Sequence, residues 1–156
     1  MQIDEHALAD SAMVTAAAPG VTGGVPSFTG RVVGGNGRGR LLGFPTANVA
    51  PHEEAGLPPD GVYACWVAIQ PSRDVFGATM SIGNNPTFDD VAERRVEVFI
   101  HDLAADLYGR RVVVWVAQLL RPMRRFSTLD ELIDHTAADV RRSRAALQRM
   151  PRPEIE

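Results

Sequence analysis

No lysine occurs among the 156 residues; all 16 basic side chains are arginine. That absence excludes a phosphate loop of the Gly-x-x-x-x-Gly-Lys type, which needs a lysine to reach the β- and γ-phosphates. Cysteine is reduced to Cys65, so neither a disulfide framework nor a thiolate metal cluster can form within one chain. Cys65 lies in an apolar run, where it reads as a small buried hydrophobe rather than a nucleophile, and such cysteine usage fits a reducing cytosol. No apolar run approaches the length of a membrane span. The acidic, alanine-rich N-terminus lacks the basic n-region and long apolar core of a signal peptide, so a cytoplasmic location is expected, with no membrane as partner. Positive charge is not in excess either: the formal net charge is −3, and without clustered surface aromatics nucleic acid is not an expected partner. His6, His52, His101 and His135 are scattered, with no spacing suited to a metal, and no Ser-His or Asp-His scheme has support.

The chain does have an unusual glycine–arginine stretch. Gly34-Gly35-Asn36-Gly37-Arg38-Gly39-Arg40 leads through Leu41-Leu42-Gly43-Phe44 into Pro45-Thr46-Ala47-Asn48. Glycines let backbone N–H groups turn toward phosphate oxygens, and Arg38 and Arg40 add positive charge. The glycine spacing does not fit the dinucleotide fingerprint. Pro45 stiffens the backbone beside Thr46 and biases Phe44 to an extended conformation. In an extended segment, residues two apart point to the same side, so Thr46 and Asn48 are placed to bind one ion together. The stretch reads as a Mg-nucleotide site; the plain alternative is a solvated glycine–arginine loop.

Residues 1–26 are short and weakly periodic and read as a flexible tail, with a short helix near residues 4–13 as the alternative. The pattern is then mostly strand: residues 28–33, 62–69, 75–82, 95–101 and 111–119. The 62–69 run is apolar on both sides, as expected of a strand buried on two faces. A turn-rich loop covers 51–59, and 71–74 turns the chain. After Arg121-Pro122 the period changes: Leu129, Leu132, Ile133, Thr136, Val140 and Leu147 mark an amphipathic helix over about 128–149, stopped by Pro151. Thr128 and Glu131 form a capping-box pattern. Arg141, Arg142, Arg144 and Arg149 read as a solvated face matched to the helix dipole. Roughly five strands followed by one helix imply a single mainly β domain over 27–150, a small antiparallel barrel capped by the helix, with 151–156 as a C-terminal tail.

Two further constellations bear on chemistry. In Val96-Glu97-Val98-Phe99-Ile100 the carboxylate shares a face with Phe99 and not with the aliphatic residues. Glu97 is either a charge on the exposed face of a strand or a base lining a pocket. Arg121, Arg124 and Phe126, between the last strand and the helix, suit a planar heteroaromatic by stacking and hydrogen bonding; equally, Phe126 could anchor the helix in the core.

Together these pieces resemble the riboflavin kinase family. The matching blocks occur in the family's order over about residues 28–147: Gly37-Arg38-Gly39-Arg40, Leu42-Gly43-Phe44-Pro45-Thr46-Ala47-Asn48, Gly61-Val62-Tyr63, Ser81-Ile82-Gly83-x-Asn85-Pro86, Val96-Glu97-Val98, Leu107-Tyr108-Gly109, and Leu120-Arg121-Pro122 with Phe126. Phe99 stands where the family often has histidine, and Met123 where glutamate is usual. The resemblance implies a six-stranded antiparallel Greek-key barrel with a C-terminal α-helix. It implies transfer of phosphate from ATP to riboflavin, giving ADP and FMN, with Mg2+ or another divalent cation as cofactor. By the same analogy Thr46 and Asn48 hold the metal, and Glu97 takes the proton of the ribityl terminal hydroxyl. Gly35, Gly37, Arg38, Gly39, Arg40, Ile100 and Tyr108 would meet the nucleotide; Arg121, Arg124 and Phe126 would meet the flavin. In many bacteria such a module follows an adenylyltransferase domain that makes FAD; none fits here, so the chain is expected to stop at FMN and to act as a monomer. The alternative function is a flavin-binding regulator or sensor that keeps the fold with little or no catalysis.

Overall fold

The structure, a computed structural model, describes residues 25–34, 46–53, 56–83 and 94–155. The expectations for the N-terminal tail, for residues 35–45 of the glycine–arginine stretch and for Asn85-Pro86 lie outside the described residues. Among the described residues, six strands and one helix occur in order: β1 (Ser27–Val33), β2 (Ala47–Pro51), β3 (Gly61–Ile69), β4 (Val75–Gly83), β5 (Arg95–Ile100), β6 (Arg111–Arg121) and α1 (Leu129–Leu147). The sheet closes on itself in the order β1-β2-β5-β4-β3-β6, every pairing antiparallel. Strands β3, β4 and β5 form a meander, and β6 returns to lie beside β3, which is the Greek-key order. Closure leaves no strand edge unpaired.

Strand alternation decides what fills the barrel. Inward positions include Phe28, Val49, Cys65, Met80, Val98 and Val114, all in one buried cluster. Strand β3 is buried at every position because its outer face is also covered: Ala64, Trp66 and Ala68 pack with Val113, Trp115, Ala146 and Leu147 in a second cluster beneath α1. Cys65 is fully buried, and burial pushes its thiol well above the usual range, as its apolar surroundings lead one to expect. Close approach of β1 and β2 requires a glycine. A Cβ on Gly30 would stand 2.6 Å from Val49 Cγ1 and 2.7 Å from the Ala50 carbonyl oxygen. Register shifts in the β3–β6 ladder leave Leu120 and Ala117 without a partner across from them, bulges that bend β6 toward its C-terminal end.

Helix α1 begins as its sequence indicates. Thr128 Oγ1 accepts from the Glu131 N–H at 3.1 Å, and Glu131 Oε1 accepts from the Ser127 N–H at 3.0 Å, one residue before the cap. The helix ends at Leu147, with Gln148 as its cap, so residues 148–150 turn before Pro151 is reached. Its buried positions fall in the C-terminal half, Asp139 to Leu147, while Leu129 is 50% exposed and Asp130 and Glu131 beside it are exposed too. Arg141, Arg142 and Arg149 are exposed. Ser143 Oγ donates to the Ala78 carbonyl at 2.9 Å, a buried tie between helix and barrel. Residues after the helix also lie on the barrel. Arg152 donates to the Val75 carbonyl at 2.9 Å with its guanidinium 5.2 Å from the Trp66 ring, and Ile155 packs on the outer cluster. No helix among the described residues is long and apolar enough to cross a membrane.

Candidate active site

The barrel registers line up one row of residues on its outer wall. Asn48 on β2 pairs with Glu97 on β5, Glu97 with Ser81 on β4, Ser81 with Val62 on β3, and Val62 with Arg121 on β6. Directly paired residues point to the same face, with Cβ atoms about 4.5–5.5 Å apart. Because Ala47, Val98, Ile82 and Tyr63 fill the interior, their neighbours in the row point outward. Two residues distant in sequence, Asn48 and Glu97, therefore stand side by side.

Thr46 precedes β2 and is half-buried, two residues from Asn48. The Asn48 side-chain oxygen is buried and has no hydrogen-bond partner among the described residues. Leaving such an oxygen unsatisfied costs about 1–3 kcal/mol, so an occupant that it could coordinate would recover that energy. A hard divalent cation takes oxygen ligands of this kind, and Mg2+ in particular is held by few protein donors together with waters and substrate phosphates. The donor set fits that mode of binding. Among the described residues no group of three His, Cys, Asp or Glu side chains could hold a metal, so a dedicated protein cage is absent there.

Glu97 is half-buried. Phe99, the next outward residue of β5, meets His101 edge-on, with ring centroids 5.7 Å apart. His101 is a wall residue and not part of the row: it is buried, and its Nε2 lies 2.7 Å from Thr79 Oγ1. Its pKa is lowered to about 4, first by burial and then by the Arg144 charge, with Asp102 opposing.

At the other end of the row, Arg121, Arg124 and Phe126 come together. The guanidinium carbons of Arg121 and Arg124 lie 5.6 and 5.4 Å from the Phe126 ring centroid. Phe126 is half-buried and rests against His135 of α1 at 4.8 Å between centroids; it belongs to neither core cluster. Arg121 is itself held by the helix, with Nε and Nη2 donating to the two Asp139 oxygens at 2.9 and 2.8 Å. Gly83 makes room for this segment, since a Cβ there would stand 2.9 Å from Met123 Cγ. Asp139 and His135 are the residues to which the sequence alone assigns no site role. Their one signal is spacing, four apart on the same helix face.

Gly35, Gly37, Arg38, Gly39 and Arg40 lie outside the described residues. Gly34, where that loop begins, stands beside Tyr108, whose Cε1 would be 3.8 Å from a Cβ there. Tyr108 is 71% exposed, and its turn is fastened to β1: the Gly109 N–H donates to the Val32 carbonyl at 2.8 Å and Arg31 donates to the Gly109 carbonyl at 2.8 Å. The Ile100 side chain, in contrast, packs inside the barrel and is 6% exposed.

Comparison with known proteins places the chain in a family. The family model described as riboflavin kinase (flavokinase) matches residues 23–147. The bifunctional riboflavin kinase/FMN adenylyltransferase of Escherichia coli K12 is 39% identical over 134 residues, covering 86% of this chain and 41% of that protein. Mouse riboflavin kinase is 35% identical over 122 residues, 76% of this chain and 78% of that one. The crystal structure of riboflavin kinase from Trypanosoma brucei superposes with a TM-score of 0.56 at 27% identity, over 83% of this chain and 82% of that one. The chain thus spans about two fifths of the length of the bifunctional relatives it matches.

Proposed function

Since this chain belongs to the riboflavin kinase family, we propose that it transfers the γ-phosphoryl group of ATP to the terminal ribityl hydroxyl of riboflavin. The products are FMN and ADP. The observation that carries this reading is the pairing of Glu97 with Asn48, whose buried amide oxygen has no partner among the described residues. A base and a neutral oxygen donor side by side are what phosphoryl transfer asks of a protein, because little covalent chemistry is left for it beyond positioning and charge stabilisation.

Thr46 and Asn48 would hold the metal, and Mg2+ bound there would neutralise charge on the phosphate oxygens. Glu97 accepts the proton of the ribityl hydroxyl as that oxygen bonds to the γ-phosphorus; the bond from phosphorus to the bridging oxygen breaks and ADP leaves. The glycine loop with Arg38 and Arg40 cradles the phosphates, and Tyr108 flanks the nucleotide. Arg121, Arg124 and Phe126 receive the flavin ring. FMN is the product of this domain, made by a monomer in the cytoplasm.

Incubation with ATP, Mg2+ and riboflavin, with chromatography for FMN and FAD, tests the reading. FMN should accumulate with ADP, and FAD should not. Replacing Glu97 by Gln should lower kcat by about 10²–10⁴-fold while riboflavin still binds. Flavin binding without any ATP-dependent product would instead make the protein a flavin-binding regulator, and a Glu97→Gln variant as fast as the parent would remove Glu97 from its role.

A further inference from the structure

We infer that Asp139 is a positioning residue for the ring-binding end of the site. Gripping the guanidinium of Arg121, it holds the Arg121–Phe126–Arg124 group as a preformed surface for a planar acceptor ring. The inference rests on the phosphoryl-transfer reading above and extends it to a helix residue that touches no reacting atom.

Arg121 offers five N–H donors, and three of its bonds are accounted for within the protein. Nε and Nη2 donate to Asp139 at 2.9 and 2.8 Å, and Nη1 donates to the Pro122 carbonyl at 3.1 Å. Such a guanidinium is fixed in plane and direction; what it offers a ligand is mainly a face and the charge, not a free fork. The pair is well buried, with side-chain exposures of 16% for Arg121 and 5% for Asp139. By contrast, the ion pair of Arg144 on α1 with Asp102 is exposed at 44% and 77%. A buried ion pair gains little over apolar residues of the same size, because desolvation offsets the attraction. Stability alone is a poor reason for placing one here.

Its location supplies the reason. Arg121 ends the row that begins at Asn48 and Glu97, and its guanidinium faces Phe126. One helical turn before Asp139, His135 supports the Phe126 ring. Two residues four apart on α1 therefore hold the two halves of the ring surface from behind. Loss of the Asp139 grip frees the Arg121 side chain without disturbing Glu97 or Asn48, so ring affinity should suffer and the chemical step should not.

The test uses the full chain and two readouts, steady-state kinetics and equilibrium riboflavin binding by fluorescence titration. Asp139→Asn should raise the KM and Kd for riboflavin about tenfold, the scale of losses seen when a supporting shell is cut, with kcat and the KM for ATP within about twofold. Asp102→Asn, which breaks the exposed pair, should leave the riboflavin constants unchanged. Should Asp139→Asn fail to fold, the double variant Arg121→Met with Asp139→Leu replaces the pair by apolar residues and keeps the fold; it should bind riboflavin about tenfold more weakly. Riboflavin constants at the parent level in a folded Asp139→Asn, or in the double variant, would overturn the inference. If the parent chain makes no FMN, the kinase reading fails by itself, and the fluorescence titration still decides the role of Asp139.

Discussion

His101 illustrates how poorly a lone titratable side chain reports on chemistry. It sits two residues beyond Phe99 on the outer wall, yet burial and a bond to Thr79 make it a structural residue. The consequence is an acid sensitivity of the fold. Its folded pKa of about 4 lies below the ordinary 6.5, so the unfolded chain takes up the proton first as pH falls. The contribution is fully present above about pH 6.5, is lost progressively toward pH 4, and amounts at most to about 3 kcal/mol. Urea unfolding measured from pH 7 to pH 4 should show this loss, and His101→Gln should flatten it. Cys65 is legible from its apolar neighbours alone, because burial in a two-sided strand is written locally. Glu97 is legible only as one of two readings, since alternation places a side chain on a face without saying what stands opposite. The partner, Asn48, is set by register between strands far apart in sequence. Asp139 escapes sequence reading for a related reason: an acid on an amphipathic helix resembles a solvated one until its partner on another element is known.

At the scale of elements, propensity finds β1, β3, β4, β5, β6 and α1 to within a few residues. It does not mark β2 as a strand. Ala47-Asn48-Val49-Ala50-Pro51 has one β-branched residue and ends in proline, and it is drawn into the sheet by β1 on one side and β5 on the other, a tertiary effect that outweighs weak local preference. The stop of α1 differs from expectation for a comparable reason: Pro151 limits how far a helix can run, whereas its end is set earlier by the cap at Gln148. The start is legible because capping is local. Thr128→Ala removes the acceptor for the Glu131 N–H and should cost about 1 kcal/mol, seen as a lower urea midpoint with an unchanged slope.

For the molecule as a whole, the barrel is held by its apolar filling. Its interior is apolar and, among the described residues, no cluster of His, Cys, Asp or Glu could bind an ion structurally. Chelation by EDTA should therefore abolish FMN formation while leaving the apo-protein Tm unchanged within about 1 °C, and ATP with Mg2+ should raise that Tm because ligands that bind only the folded state stabilise it. Calorimetry with and without each addition checks both. The barrel's closure is implied by resemblance to the family; strand pattern alone indicates only a small barrel of roughly five strands, because a strand as weakly marked as β2 is needed to complete the ring.

That closed wall also works as a gauge. A run of hydrogen-bonded strands from β5 through β4 and β3 to β6 fixes Glu97 relative to Arg121, and under the proposed function it fixes the proton acceptor relative to the flavin ring, since a paired sheet cannot slide to shorten that interval. A flavin with a clipped polyol would seat its ring and leave its last oxygen short of the phosphate. Selection would then be by length, made after docking and before transfer.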